Sequence, residues 1–272
     1  MPAISRLCLV SLLCATISGP ANAAQPPRRI LSLNMCADQL LIGLADPDQI
    51  VGLTQFARDR DMSAEAERAD HLPISRGTSE DVLARRPDLV ISSPFHAMGS
   101  VVRTQSYRVI DLQPAESYAA VIAQIRQIAG AVGHSARGES MIRRMNSELA
   151  ALPRIKGHPV AAYYQRRGYL TGTGTLIDDL MQRVGLRNLA TELRKPSLSR
   201  LSVEEMVAAR PNYLIVESAT ERVADQGTEM LHHPALARIA RLRLPQAWTV
   251  CGGPAYVRAA KSLTDQLGNR RP

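Results

Sequence analysis

The chain carries one fourteen-residue phrase twice. "TSEDVLARRPDLVI" runs from Thr78 to Ile91 and "SVEEMVAARPNYLI" from Ser202 to Ile215, aligned without a gap at an offset of 124 residues. Each copy opens on a hydroxyl residue able to cap a helix, and Asp81, three residues after Thr78, completes a capping-box-like pattern. Each helical stretch meets a stop at Arg-Pro (Arg86-Pro87 and Arg210-Pro211), because proline cannot continue a helix. Each then enters a short apolar run that reads as a buried strand. A helix-to-strand unit found only twice, far apart, is not a solenoid. It points to two similar α/β lobes within one chain.

The rest of the sequence fits that division. "RRILSLN" reads as a buried strand, "ADQLLIGLAD" as a helix, "DQIVGLT" as a second strand and "SVVRTQSYRVIDL" as a further helix and strand. Strand and helix alternating at this spacing predict a parallel sheet. The middle differs: "ESYAAVIAQIRQIAGAVGH" and "SARGESMIRRMNSELAALP" are long helical patterns without strands, the second running from Ser135 to about Leu152. The alternation then resumes with "HPVAAYYQ" as a strand, "GTLIDDLMQRVGL" as a helix, "YLIVES" as a strand, "HPALARIARL" as a helix, "AWTVCGG" as a strand and a closing helix in "AYVRAAKSLTDQLG". The expected organisation is a leader over residues 1–23, an α/β lobe over 28–113, a helical connector over 114–153 and a second α/β lobe over 154–272.

The leader rests on Arg6, the apolar stretch "LCLVSLLCATIS" and the Ala21-x-Ala23 pattern, which together read as a secretory signal peptide. Cys14 follows Leu13, where a lipoprotein signal wants Gly or Ala. The exported chain is expected to be soluble and, in a bacterium, periplasmic. The full sequence has a formal net charge of +8, and the arginines that carry it are scattered. Export excludes nucleic acid as the partner, so the charge permits an anionic ligand and no more. Cys36 and Cys251 remain after cleavage, and a lone pair of cysteines in an oxidising compartment is often a disulfide.

Three stretches carry a family resemblance: "SEDVLARRPDLVI", "AGAVGHSARGESMIRRM" and "GTGTLIDDLMQRVGLRN". In this order, behind a leader, the chain resembles the helical-backbone class of periplasmic binding proteins of ABC importers, whose ligands are cobalamin, ferric siderophores or haem. The resemblance covers nearly all of the mature chain. It implies two Rossmann-like lobes with central parallel sheets, joined by one long backbone helix, with the ligand cleft between them. It also implies a monomer with no intrinsic cofactor, a metal chelate as ligand and an inner-membrane permease dimer as partner. In the family a glutamate on each lobe docks into arginine pockets of the permease; carried onto this chain these are Glu80 and Glu204. Helix chemistry alone also accounts for both, since a first-turn carboxylate gains roughly 0.3–1 kcal/mol from the helix dipole.

Ligands of open parallel sheets bind beyond the carboxyl ends of the strands. That rule selects Asn34, Met35, Cys36, Arg58, Arg76, Phe95 and His96 in the first lobe, and Tyr164, Arg166, Tyr169, Glu217, Cys251 and Gly252 in the second. The tyrosines offer flat faces to a ring-shaped ligand and the arginines suit an anionic one. His96, with Met98 second, is a candidate axial ligand to a metal centre, although a lone loop histidine is more often simply solvated. The chain departs from its relatives at "SLNMCADQL", where they usually carry Pro and a Thr-Glu pair. With the lobes arranged as the family implies, Cys36 and Cys251 border one cavity. They then form a disulfide, hold a soft metal or cofactor as thiolates, or stay as two separate buried thiols.

Two rival functions remain. A metal- or tetrapyrrole-handling enzyme of the chelatase kind has a related two-lobe fold, but two cysteines cannot hold a four-Cys cluster. The Gly172–Thr175 "GTGT" turn before a helix suits an anion but lacks the Lys-Ser/Thr ending of a P-loop. A sensor or adaptor of the same fold, docking without cargo, is the other rival.

Overall fold

The computed structural model describes residues 25–94 and 107–269. The leader therefore lies outside the described residues, as do Phe95, His96 and Met98. The first lobe comprises β1 (Ile30–Ser32), α1 (Met35–Leu44), β2 (Ile50–Gly52), α2 (Ser79–Arg85), β3 (Leu89–Ser92) and β4 (Arg108–Asp111). A helical hairpin follows, α3 (Tyr118–Ala131) and α4 (Ser135–Ala150). The second lobe holds β5 (Val160–Tyr163), β6 (Tyr169–Thr171), α5 (Leu176–Val184), β7 (Arg187–Asn188), α6 (Leu189–Glu192), β8 (Leu198–Arg200), α7 (Val203–Ala209), β9 (Tyr213–Glu217), α8 (Gln226–Glu229), β10 (Ala240–Leu244) and α9 (Ala255–Gly268).

Both four-stranded sheets are parallel and share one topology. The first runs β2-β1-β3-β4 and the second β7-β5-β9-β10, so each lobe places its first major strand between its second and third. The repeated phrase is the helix and third strand of that plan, once as α2–β3 and once as α7–β9. Thr78 caps α2 by accepting from Asp81 N, and Ser202 caps α7 by accepting from Glu205 N. Both helices end on an arginine in the left-handed region, Arg86 at φ 44° and Arg210 at φ 48°. Val82 of α2 packs on Leu31 and Val90, and Met206, its counterpart 124 residues on, packs in the equivalent second-lobe core. The outward faces match too: Glu80 and Leu83 on α2 and Glu204 and Val207 on α7 are exposed.

The opposite sheet faces share one core with the hairpin. Leu40 and Ile91 of the first lobe, Ile125 and Met141 of the hairpin, and Met181, Ile215 and Tyr256 of the second lobe belong to a single buried cluster. Arg137, near the start of α4, donates to Leu44 O and pairs with Asp46, fixing the hairpin to the first lobe. At the other side Arg183 of α5 donates to the Tyr256 hydroxyl at 2.9 Å and lies 4.6 Å from the Tyr118 ring centre, joining α3, α5 and α9.

One expectation fails near the C-terminus. "HPALARIARL" gives only a 3-10 turn at Pro234–Leu236, and its last residues begin β10; "AWTVCGG" is a short 3-10 turn and a loop. In "ARLRL" Leu242 and Leu244 are buried while the intervening Arg243 is exposed, a period of two that settles into a strand beside β9. The antiparallel β6–β8 ribbon is a further element that the sequence reading does not contain.

Asp38 is a buried carboxyl of the first lobe. It is fully buried in α1 and accepts from the Thr54 hydroxyl at 2.6 Å. Burial pushes its carboxyl up to about 6, against the lowering effect of hydrogen bonds from Ser32 and Thr54. A folded-state value raised above 3.8 means that the acid form is favoured by folding, so stability falls as pH rises from about 4 through 6. Replacing Asp38 with Asn is expected to stabilise the protein at pH 7 by on the order of 1–3 kcal/mol, with the difference vanishing below pH 4. Denaturant melts of both proteins at pH 4 and pH 7 check this; a difference independent of pH would contradict it.

Candidate functional site

The cavity between the lobes has a volume of about 380 Å³ and lies where topology directs. In each sheet the strand order reverses between the first and third major strands, and ligands sit beyond the carboxyl ends at such a switch point. Asn34 follows β1, Ser93 follows β3, Tyr163 ends β5 and Glu217 ends β9; all four line the cavity. Gln113, Pro114, Ala115 and Glu116, beyond β4, add the rim of the first lobe.

The first-lobe wall is set by a cap. Asn34 Oδ1 accepts from Cys36 N at 2.8 Å and Ala37 N at 3.2 Å, which starts α1 and turns Cys36 towards the second lobe. Cys36 is bonded to Cys251, with Cα atoms 5.2 Å apart and 215 residues between them in sequence. The disulfide forms part of the cavity wall and fastens one lobe to the other. It removes the thiolate and separate-thiol readings of these cysteines. Gly252 is needed beside it, because a Cβ there would come within 2.7 Å of Ala115 and Val121.

The second-lobe wall is a chain of hydrogen bonds. Thr171 Oγ1 donates to Gln165 Oε1 at 3.0 Å, and Gln165 Nε2 donates to Glu217 Oε1 at 3.0 Å. The Tyr163 hydroxyl lies 3.1 Å from Thr249 Oγ1, which donates to Gln246 O. Burial, then the charge of Glu217, push the Tyr163 hydroxyl well above its ordinary value, so it stays protonated. The polar side chains of the lining are thus amides and hydroxyls with two carboxylates, Glu116 and Glu217, beside apolar Leu112, Pro114, Ala115, Leu176, Ile177 and Val250. No Lys, Arg or His lines it among the described residues.

Of the selected residues, Asn34, Cys36, Glu217, Cys251 and Gly252 line this cavity. The others described lie elsewhere. Tyr164 is fully buried on the opposite face of β5 from Tyr163 and donates to Leu201 O at 2.8 Å, as strand alternation requires. Arg58 is spent on the carbonyls of Ala69 and Leu72. Arg76 is exposed and outside the cavity lining. Arg166 pairs with Asp225, and Tyr169 stacks under Arg200 at 5.1 Å on the β6–β8 ribbon. Met35 is half-buried in the first turn of α1 and does not reach the lining. The lining also holds residues outside that selection: Tyr163, Gln165, Thr171, Thr175, Gln246 and Thr249, together with the rim after β4. The carboxyl-end rule already points to the last of these loops, had β4 been carried past Asp111.

The "GTGT" turn has a structural explanation. A Cβ on Gly172 would meet Pro196 O at 1.9 Å, Gly174 has φ 72°, and Thr175 caps α5. Asp178 accepts from Gly174 N at 3.3 Å, so a carboxylate already serves this helix end. No group of three or more metal-ligating side chains occurs among the described residues.

Two α/β lobes of one topology, a helical hairpin between them and a cavity at both switch points define a cleft-type ligand-binding protein. Residues 30–242 match the family described as "Periplasmic binding protein", and the chain belongs to that family. It is a family of binding proteins rather than enzymes, which sets aside the metal-inserting reading. A cobalamin-binding protein of Halobacterium salinarum is 24% identical over 205 residues, covering 72% of this chain and 56% of the relative, so the chain spans just over half of that relative's length. Among solved structures, the periplasmic heme-binding protein RhuT from Roseiflexus sp. RS-1 has a TM-score of 0.72 at 25% identity, over 89% of this chain and 98% of that one. The periplasmic vitamin B12 binding protein BtuF of Vibrio cholerae has a TM-score of 0.65 at 14% identity, over 90% and 99%. These likenesses agree with the two-lobe architecture expected from the repeat. Among the described residues no helix is long and apolar enough to cross a membrane.

Proposed function

We propose that this protein captures a neutral, amide-rich metal chelate of the corrinoid class and delivers it to an inner-membrane ABC permease. The observation that carries the ligand class is the polar part of the cavity lining, set among apolar side chains: Asn, Gln, Ser, Thr and Tyr, two carboxylates and no cation among the described residues. Such a wall offers donors and acceptors to peripheral amides and gives no counter-charge to the carboxylates of haem or to an anionic ferric siderophore. The cobalamin-binding relative supports the same class. Delivery rests on Glu80 and Glu204, one exposed carboxylate at the same place on each lobe, suited to a two-fold partner.

Thermal melts with cyanocobalamin, cobinamide, haem and several ferric siderophores test this reading. A ligand at one hundred times its Kd stabilises by about 2.7 kcal/mol, which raises Tm by roughly 5–10 °C in a protein of this size. A corrinoid is expected to give that shift. A shift with haem or a siderophore and none with either corrinoid would overturn the ligand assignment.

A further inference from the structure

We infer that Glu217 is a charge filter: it is the residue that makes the cleft accept neutral or cationic chelates and reject anionic ones. The inference deepens the proposed function and rests on it for the kind of ligand, not for the sign of the discrimination.

Glu217 ends β9 at the switch point of the second lobe, is only 6% exposed and lines the cavity. A carboxylate taken out of water normally gains a cationic partner. None of the Lys, Arg or His side chains among the described residues pairs with Glu217. Its described support is neutral: the Gln165 amide at 3.0 Å, with the Tyr163 hydroxyl close enough to feel its charge. This support fixes orientation. Thr171 holds Gln165 Oε1, so the amide must present nitrogen to Glu217, and Thr249 holds the Tyr163 hydroxyl. The negative charge therefore stands against the cavity in a fixed place and without a cationic partner among the described residues of the wall. Its free lone pairs accept from an amide N–H or a cation. Any anionic group brought to that wall meets a like charge in a partly dehydrated space, where Coulomb repulsion is far stronger than in water. Glu116 on the opposite rim has the same sign but is exposed, so solvent screens it.

The test compares ligands different in charge, the first pair also matched in shape. The pairs are cyanocobalamin with its monocarboxylic acid derivative, and a neutral ferric hydroxamate with an anionic ferric catecholate. Dissociation constants are measured by titration calorimetry for the wild type, Glu217→Gln and Glu217→Asp, each confirmed as folded by its melting curve. For whichever pair is bound, the wild type is expected to prefer the neutral member by about tenfold or more. Glu217→Gln keeps the hydrogen-bonding shape and loses the charge; the preference should fall below about threefold, mainly through tighter binding of the anionic member. Glu217→Asp keeps the charge and should keep the preference, which a purely structural role would not predict. A siderophore pair obeying this pattern with no corrinoid bound would overturn the corrinoid assignment and uphold the filter. Equal or tighter binding of the anionic member by the wild type, an unchanged preference in Glu217→Gln, or no measurable binding of either pair would overturn the filter.

Discussion

Reversing Glu80 and Glu204 together to Lys is expected to abolish ligand uptake in cells while leaving ligand affinity in solution unchanged. Both carboxylates are exposed on duplicated helices and neither lines the cavity. Each is held below the usual carboxylate range, first by its own backbone N–H and then by the capping hydroxyl, Thr78 for Glu80 and Ser202 for Glu204. Both therefore stay ionised through the mildly acidic range. Truncating one partner of a buried, hydrogen-bonded charge pair at an interface costs about 2–5 kcal/mol or more, so losing two such contacts weakens docking by at least about a thousandfold. The price to the fold is small, because a lysine in the first turn of a helix loses only roughly 0.3–1 kcal/mol against the dipole. Single reversals should each give a partial loss, because the two positions sit on separate lobes and act independently. Uptake at the wild-type rate in the double variant would show that the duplicated acids serve helix capping alone. A parallel loss of ligand affinity would place them in the cleft rather than on a docking face.

The plan of the lobes was legible because it is written in local chemistry. The hydroxyl cap, the Arg-Pro stop and the apolar run of each phrase specify a helix and a buried strand without help from distant residues. What lay beyond local chemistry was harder. Tyr163 and Tyr164 are adjacent in one apolar run, and only the choice of sheet face decides that Tyr163 meets the cavity and Tyr164 the core. That choice depends on which helices cover which face. The arginines near the strand ends lie outside the cavity lining, and composition reports their charge without reporting their partners: Arg58 turns to backbone carbonyls and Arg166 to Asp225. "ARIARLRL" has apolar residues at both helical and alternating spacings, and pairing with β9 selects the strand. The two cysteines could not be paired from spacing across 215 residues, since only the meeting of the lobes brings their Cα atoms to 5.2 Å.

Removing that disulfide, by Cys36→Ser with Cys251→Ser, is expected to lower Tm by roughly 10–20 °C and to weaken ligand binding by about tenfold or more. The bond closes a loop of 215 residues, and closing a loop of that length removes denatured-state entropy equivalent to about 5 kcal/mol. Affinity should fall as well, because the same bond is a wall of the cavity and sets the distance between its two halves. Without it the lobes stay joined by the common core and by Arg258, which pairs with the buried Glu65 at 2.5 Å across the interface. Neither of these ties replaces the bond between Cys36 and Cys251 in the cavity wall, so the cavity would widen there and part of the binding energy would go to reordering it. Reducing the wild type with a thiol should reproduce both effects, and Cys36→Ala with Cys251→Ala separates loss of the cross-link from burial of two hydroxyls. If the reduced wild type melts and binds as the oxidised protein does, the bond is a passive ornament of the cleft. If only the melting temperature falls, the disulfide stabilises the fold but the cleft keeps its shape through the helical core alone.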